Sequence, residues 1–169
     1  MTRPLRVEYA GAIYDVMSRG NAREAIPFEG CDREDFLHSL ERTCQRTAWQ
    51  VHAWCLMGNQ PHLVIETPHP NLTSAMKWLL GTRPSASIAS TSAGVYLFGG
   101  HSRAQLIDER SSSYLRAACD YVHLNPARAG LVTGAEKLES YSWSSYPAYC
   151  NPRLRPSWLR VDRLLGEHG

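Results

Sequence analysis

The sequence has no apolar run long enough to span a bilayer. One of its longest, residues 51–57, is interrupted by His52 and falls far short of the roughly 20 residues that a transmembrane helix needs. The opening Met1-Thr2-Arg3-Pro4 has none of the apolar core of a secretory signal, so the expectation is a protein that works in the cytoplasm and not at a membrane. Cysteine is scarce and scattered: Cys31, Cys44, Cys55, Cys119 and Cys150 are odd in number and form no C-x-x-C pair. That argues against a disulfide framework and a thiolate zinc site, and leaves the thiols as small hydrophobes. A glycine-rich phosphate loop and a G-x-S-x-G elbow are both missing, which removes the two commonest hydrolase signatures. An excess of one charge is missing too. Lys and Arg number 18 against 16 Asp and Glu, for a net charge of +2. Duplex-binding domains usually carry a denser basic face, so charge leaves the partner open.

What is present is enough for one domain with a real core: 169 residues, 43% of them hydrophobic. Residues 9–18 read as a strand. Over residues 32–49 the apolar positions Phe36, Leu37, Leu40, Cys44 and Ala48 recur at spacings of three and four, an amphipathic helix with Asp32 at its N-cap. Residues 50–56 form a second strand, Gly58-Asn59 turns the chain, and residues 61–67 return antiparallel to it. Asn71 or Thr73 caps a short helix that Gly81 ends. Residues 82–100 are rich in Ser, Ala, Gly and Thr and show no periodicity. A fourth strand follows over residues 104–107. Residues 111–124 form a helix that Pro126 is expected to stop. Strand, helix, strand, strand, helix, strand, helix is the order of an α+β fold: a ferredoxin-like antiparallel sheet with helices on one face and an additional C-terminal helix. The expected organisation is one domain over residues 1–150 and a short tail over 151–169.

Two pairs of residues carry chemistry. Gln60 and His62 are two apart on an extended chain, so they share a face and could grip one metal ion; equally, a hairpin turn can contain a Gln and a His with no such purpose. Tyr121 and Asn125 are four apart on the late helix and therefore neighbours. A tyrosine phenol can attack a phosphodiester where a cation neutralises the phosphate, and an amide oxygen one turn on is a hard ligand. Tyr121 can also be read as a packing residue and Asn125 as a helix terminator. His52 reads as flanking the core, and His101 and His123 as surface residues.

Several blocks in one order resemble the REP-associated tyrosine transposases, within the HUH single-tyrosine transposases of small insertion sequences. They are Arg3-Pro4-Leu5-Arg6-Val7-Glu8-Tyr9, Ser18-Arg19-Gly20-Asn21-Ala22-Arg23, His52-Ala53-Trp54-Cys55-Leu56-Met57, the stretch Tyr121-Val122-His123-Leu124-Asn125-Pro126-Ala127-Arg128-Ala129-Gly130-Leu131-Val132, and Trp143-Ser144-Ser145-Tyr146. The resemblance runs from about Arg3 to Tyr149. The resemblance implies a single-strand endonuclease and strand transferase that acts beside palindromic DNA hairpins through a 5′-phosphotyrosine link. Tyr121 would be the nucleophile. His62, Asn125 and Gln60 would hold magnesium or manganese, and Arg19, Arg23 and Arg128 would contact the DNA. Relatives of this kind include monomers and homodimers.

Two departures open a second reading. The family's His-x-His pair is here Gln60-Pro61-His62, so one imidazole ligand is an amide, and Asp15 stands where such proteins often have a His. The family's basic tract is replaced over residues 83–98 by a run that includes Ser87-Ile88-Ala89-Ser90-Thr91-Ser92-Ala93. Translation of that segment in a shifted frame, restored before Gln105, would account for the exchange, and the coding DNA decides it. The alternative to a nicking enzyme is thus a catalytically inactive, decayed or domesticated copy that only binds DNA.

Overall fold

A computed structural model describes residues 7–18, 30–58, 60–81, 102–107 and 112–166. Arg19, Arg23, His101 and the 83–98 segment lie outside these residues. The chain turns at Gly11, whose φ of 85° suits a residue without a Cβ, and enters β1 (Ala12–Ser18). Then follow α1 (Gly30–Thr47), β2 (Gln50–Met57), β3 (Gln60–Thr67), α2 (Leu72–Gly81), β4 (Ser102–Ile107) and α3 (Ser112–Arg128). The strands form one sheet in the order β2-β3-β1-β4, and every pairing is antiparallel. This is the expected ferredoxin-like arrangement.

The sheet is covered on both sides. On one face Phe36, Leu40 and Cys44 of α1 and Leu72, Ala75, Met76 and Leu79 of α2 meet Tyr14, Val16, Val51, Leu63 and Ile65. On the other, Leu115, Cys119 and Val122 of α3 cover Ile13, Ala53, Cys55 and Val64. Strands buried on both faces read as near-continuous apolar runs, which is why β2 alternates so little. Among the described residues no helix is long and apolar enough to cross a membrane.

Three sequence expectations need correction. Asp32 lies inside the first turn of α1, which begins at Gly30; there its charge faces the positive helix end. Pro126 does not stop α3, which runs on to Arg128. Pro126 forgoes one N–H bond near the helix end, and the helix ends instead in a Schellman motif: Leu131 N–H donates to Pro126 O at 2.9 Å and Gly130 N–H to Ala127 O at 3.0 Å, with Gly130 at φ 71°. The third concerns residues 151–166 of the segment read as a tail. They lie back against β2, where Val51 and Leu159 form a parallel bridge, and Leu159 is buried in the α1–α2 core.

β2 is an edge strand, and its outer edge is occupied. Leu56 N–H donates to Trp143 O (2.8 Å), Ser145 N–H to Trp54 O (2.9 Å) and Arg160 N–H to Val51 O (2.8 Å). Open edges invite pairing with other chains, and this one is closed by two short segments of the same chain, around residues 143–145 and 158–160.

Candidate active site

The roll of α3 about its axis is set by what it buries. Leu115, Cys119 and Val122 lie three and four apart and face the sheet. Asn125, three residues after Val122, is carried inward and is 5% exposed. Tyr121, one residue before Val122, stands at the rim and is 40% exposed. The guanidinium carbon of Arg128 lies 4.9 Å from the centre of the Tyr121 ring, a cation–π contact that holds a positive charge beside the phenol.

β3 supplies the opposite wall. Directly paired strand residues share a face. Gln60 pairs with Met57 and His62 with Cys55, and Cys55 belongs to the cluster under α3. Both Gln60 and His62 therefore lie on the α3 side of the sheet. His62 is 6% exposed, and its Nδ1 is 3.5 Å from Asn125 Nδ2. Burial pushes the His62 pKa down, so the imidazole is neutral at neutral pH and keeps a lone pair for a ligand.

A divalent cation would meet one imidazole and the amides of Asn125 and Gln60. The two ends of an amide are nearly alike in outline, and a half-turn of Asn125 presents its oxygen where the nitrogen now faces His62. Amide oxygens suit hard cations. Yet all three donors are neutral, and no group of three or more His, Cys, Asp or Glu side chains comes together among the described residues. The set fits a weakly held cation that shares its shell with water and phosphate oxygens, not a closed protein cage.

His123 was expected at the surface and is buried. It follows Val122 on α3, and its Nε2 is 2.8 Å from Ser145 Oγ, which also accepts the Trp54 N–H at 2.9 Å. Tyr146 and Tyr149 meet the ring edge-on, with centroids 5.5 and 5.0 Å away. Burial pushes its pKa down to about 4. An unfolded His takes its proton near pH 6.5, so between these values the unfolded chain binds more protons than the folded one. The contribution is full above about pH 6.5 and is lost as pH falls toward about 4. The urea midpoint is expected to drop between pH 7 and pH 5, and His123→Gln should flatten that drop; an undiminished drop in the variant would assign the acid sensitivity elsewhere.

His52 occupies a bulge between Val51 and Ala53, is fully buried, and places Nε2 2.9 Å from Glu66 Oε2. The hydrogen bond from His52, with the cations of Arg163 and Arg160, holds the Glu66 carboxyl below its usual range.

This four-stranded antiparallel sheet, with α3 laid across its second face, is an arrangement that a solved structure shares. A solved structure of a REP-associated tyrosine transposase bound to a REP hairpin shares it with a TM-score of 0.69, over 96% of this chain and 93% of that one. The two are 14% identical in sequence, so the likeness is one of fold. No protein-family model matches the sequence, and neither does any curated protein.

Proposed function

We propose that this protein binds DNA hairpins and nicks and rejoins the adjoining single strand through Tyr121. The observation that carries the reading is the exposed Tyr121 phenol, held beside Arg128 and one helical turn from the buried His62–Asn125 pair, in a fold shared with a protein solved on a REP hairpin. The Tyr121 oxygen attacks phosphorus and forms the new O–P bond. The phenol gives up its proton, the P–O3′ bond breaks, and the 3′ oxygen takes up a proton and leaves as a free hydroxyl, while the 5′ phosphate stays on the tyrosine. Attack by a 3′-hydroxyl reverses the step and rejoins the strand. Arg128 steadies the ring and offers its remaining donors to the phosphate. Magnesium or manganese held by His62, Asn125 and Gln60 would supply positive charge at the phosphate. Neutral His62 stays available as a ligand, and Asn125 holds its place from the helix.

One observation favours a second reading, a DNA-binding protein without nicking activity: Gln60 gives the donor set a second amide in place of an imidazole. A covalent-adduct assay separates the two. The protein and its Gln60→His variant are incubated with a single-stranded hairpin from the flanks of its own gene and a manganese titration. Gln60→His is expected to raise adduct yield at limiting manganese by on the order of tenfold, as changes around a metal commonly do. Adduct from neither protein, with hairpin binding intact, favours the binding-only reading.

A further inference from the structure

A cleft of about 380 Å³ opens between β4 and the first half of α3, lined by Asp15, Gln105, Leu106, Ile107, Tyr114 and Ala118. Asp15 and Gln105 are direct cross-strand partners, so a carboxylate and an amide stand side by side on the face under α3. The Asp15 carboxylate is poorly provided for. Its Oδ1 is buried with no hydrogen-bond partner among the described residues. Burial pushes its pKa up, and the Arg103 cation opposes that in part. An acceptor left in this state costs stability, and a donor brought by a bound molecule is one way to offset that cost. Leu106, Ile107 and Ala118 make the walls apolar, and Tyr114, 59% exposed, offers an open aromatic face. Tyr114 stands two helical turns before Tyr121 on the same side of α3, about 10 Å away along the axis.

We infer that this cleft receives one unpaired, amino-bearing base of the bound strand, about two or three nucleotides from the phosphate at Tyr121. This rests on the function proposed above and adds a sequence preference to it. The exocyclic amino group of cytosine, adenine or guanine donates to Asp15, as carboxylates accept from cytosine in DNA grooves. Gln105, which both donates and accepts, meets the neighbouring edge atom, and the base stacks on Tyr114. Thymine has no amino group, and its one edge donor, N3–H, lies between two carbonyl oxygens that would face the carboxylate, so it is disfavoured.

Anisotropy titrations of the full chain test this with a labelled oligothymidine strand and three copies carrying one internal cytosine, adenine or guanine. The substituted strands are expected to bind about tenfold tighter than all-thymine, the size of one good base contact. Asp15→Leu, which removes both acceptors at similar volume, should bring all four strands to the all-thymine affinity, with a cooperative thermal melt showing that it folds. Tyr114→Ala, a truncation at an exposed position, should weaken the substituted strands by about tenfold through lost stacking and the all-thymine strand far less. Equal binding of all four strands by the native protein overturns the cleft alone, as does a folded Asp15→Leu that keeps the preference. Binding of no strand at any salt concentration overturns the proposed function and this inference with it.

Discussion

Tyr121→Phe is expected to abolish covalent capture of DNA while leaving hairpin affinity within about threefold of the native protein, because the ring that meets Arg128 survives the change. The variant removes one oxygen from a side chain that is 40% exposed, so the fold loses little: surface substitutions of this kind stay within about 0.5 kcal/mol. On the function proposed above, the chemistry loses the attacking atom itself. The measurement is a denaturing gel of protein with labelled hairpin strand and manganese, run beside an anisotropy titration of the same strand. Loss of the adduct with retained binding separates nucleophile from scaffold. An adduct that survives in Tyr121→Phe would move the chemistry to another side chain, Tyr114 being the next exposed tyrosine on the same face of α3.

Local periodicity carried most of the fold. Phe36, Leu40 and Cys44 identify α1 by their spacing, and they are the apolar residues it buries, with Ser39 and Thr43 beside them. The strand order followed from the succession of elements. What the spacing could not supply was the face chosen by the last helix. α3 lies opposite α1 and α2 because Ile13, Ala53, Cys55 and Val64 leave an apolar surface there, and those four residues come from three strands. Pro126 misled for a related reason. A proline reads as a stop from its own geometry, whereas the signal that ends α3 is Gly130, four residues on.

Legibility of the site divided in the same way. Gln60 with His62 and Tyr121 with Asn125 were visible because each pair lies within a single element at that element's own period. That His62 should meet Asn125, a contact between residues 63 apart in sequence, depends on how α3 is seated and is written in no local pattern. His123 was misjudged because Ser145, Tyr146 and Tyr149 reach it from a stretch without periodicity. The partnership of Asp15 with Gln105 needed the β1–β4 register, so Asp15 looked like an isolated departure when it is half of a pair.

Removal of residues 151–169 is expected to unfold the domain at 37 °C, although the sequence reads this stretch as a tail. Leu159 is buried in the core, and losing one such side chain costs about 2–3 kcal/mol. Trp158, tilted against Trp54 with centroids 6.5 Å apart, would go with it. The backbone bond from Arg160 to Val51 would be lost, reopening that part of the β2 edge. Electrostatics add to this. Glu66, whose side chain is 14% exposed, faces fully buried His52 at 2.9 Å and is compensated by Arg163 at 2.9 Å and Arg160 at 3.3 Å. Deletion leaves that carboxylate without its cations; the arginine side chains are 33% and 34% exposed, so water screens the pairs and their loss costs on the order of 1 kcal/mol. Together the losses are a large fraction of the 5–15 kcal/mol that holds a typical domain together. The effect would reach the site, since Glu66 lies on the same strand as Gln60 and His62. Urea unfolding of residues 1–150 beside the full chain measures the difference, with Leu159→Ala and Arg160→Ala to separate packing from charge. Leu159→Ala should fall between native and deletion, and Arg160→Ala close to native because Arg163 remains. A deletion that unfolds at the native midpoint would mean that the closing segment only rests on β2 and that the sheet edge holds without it.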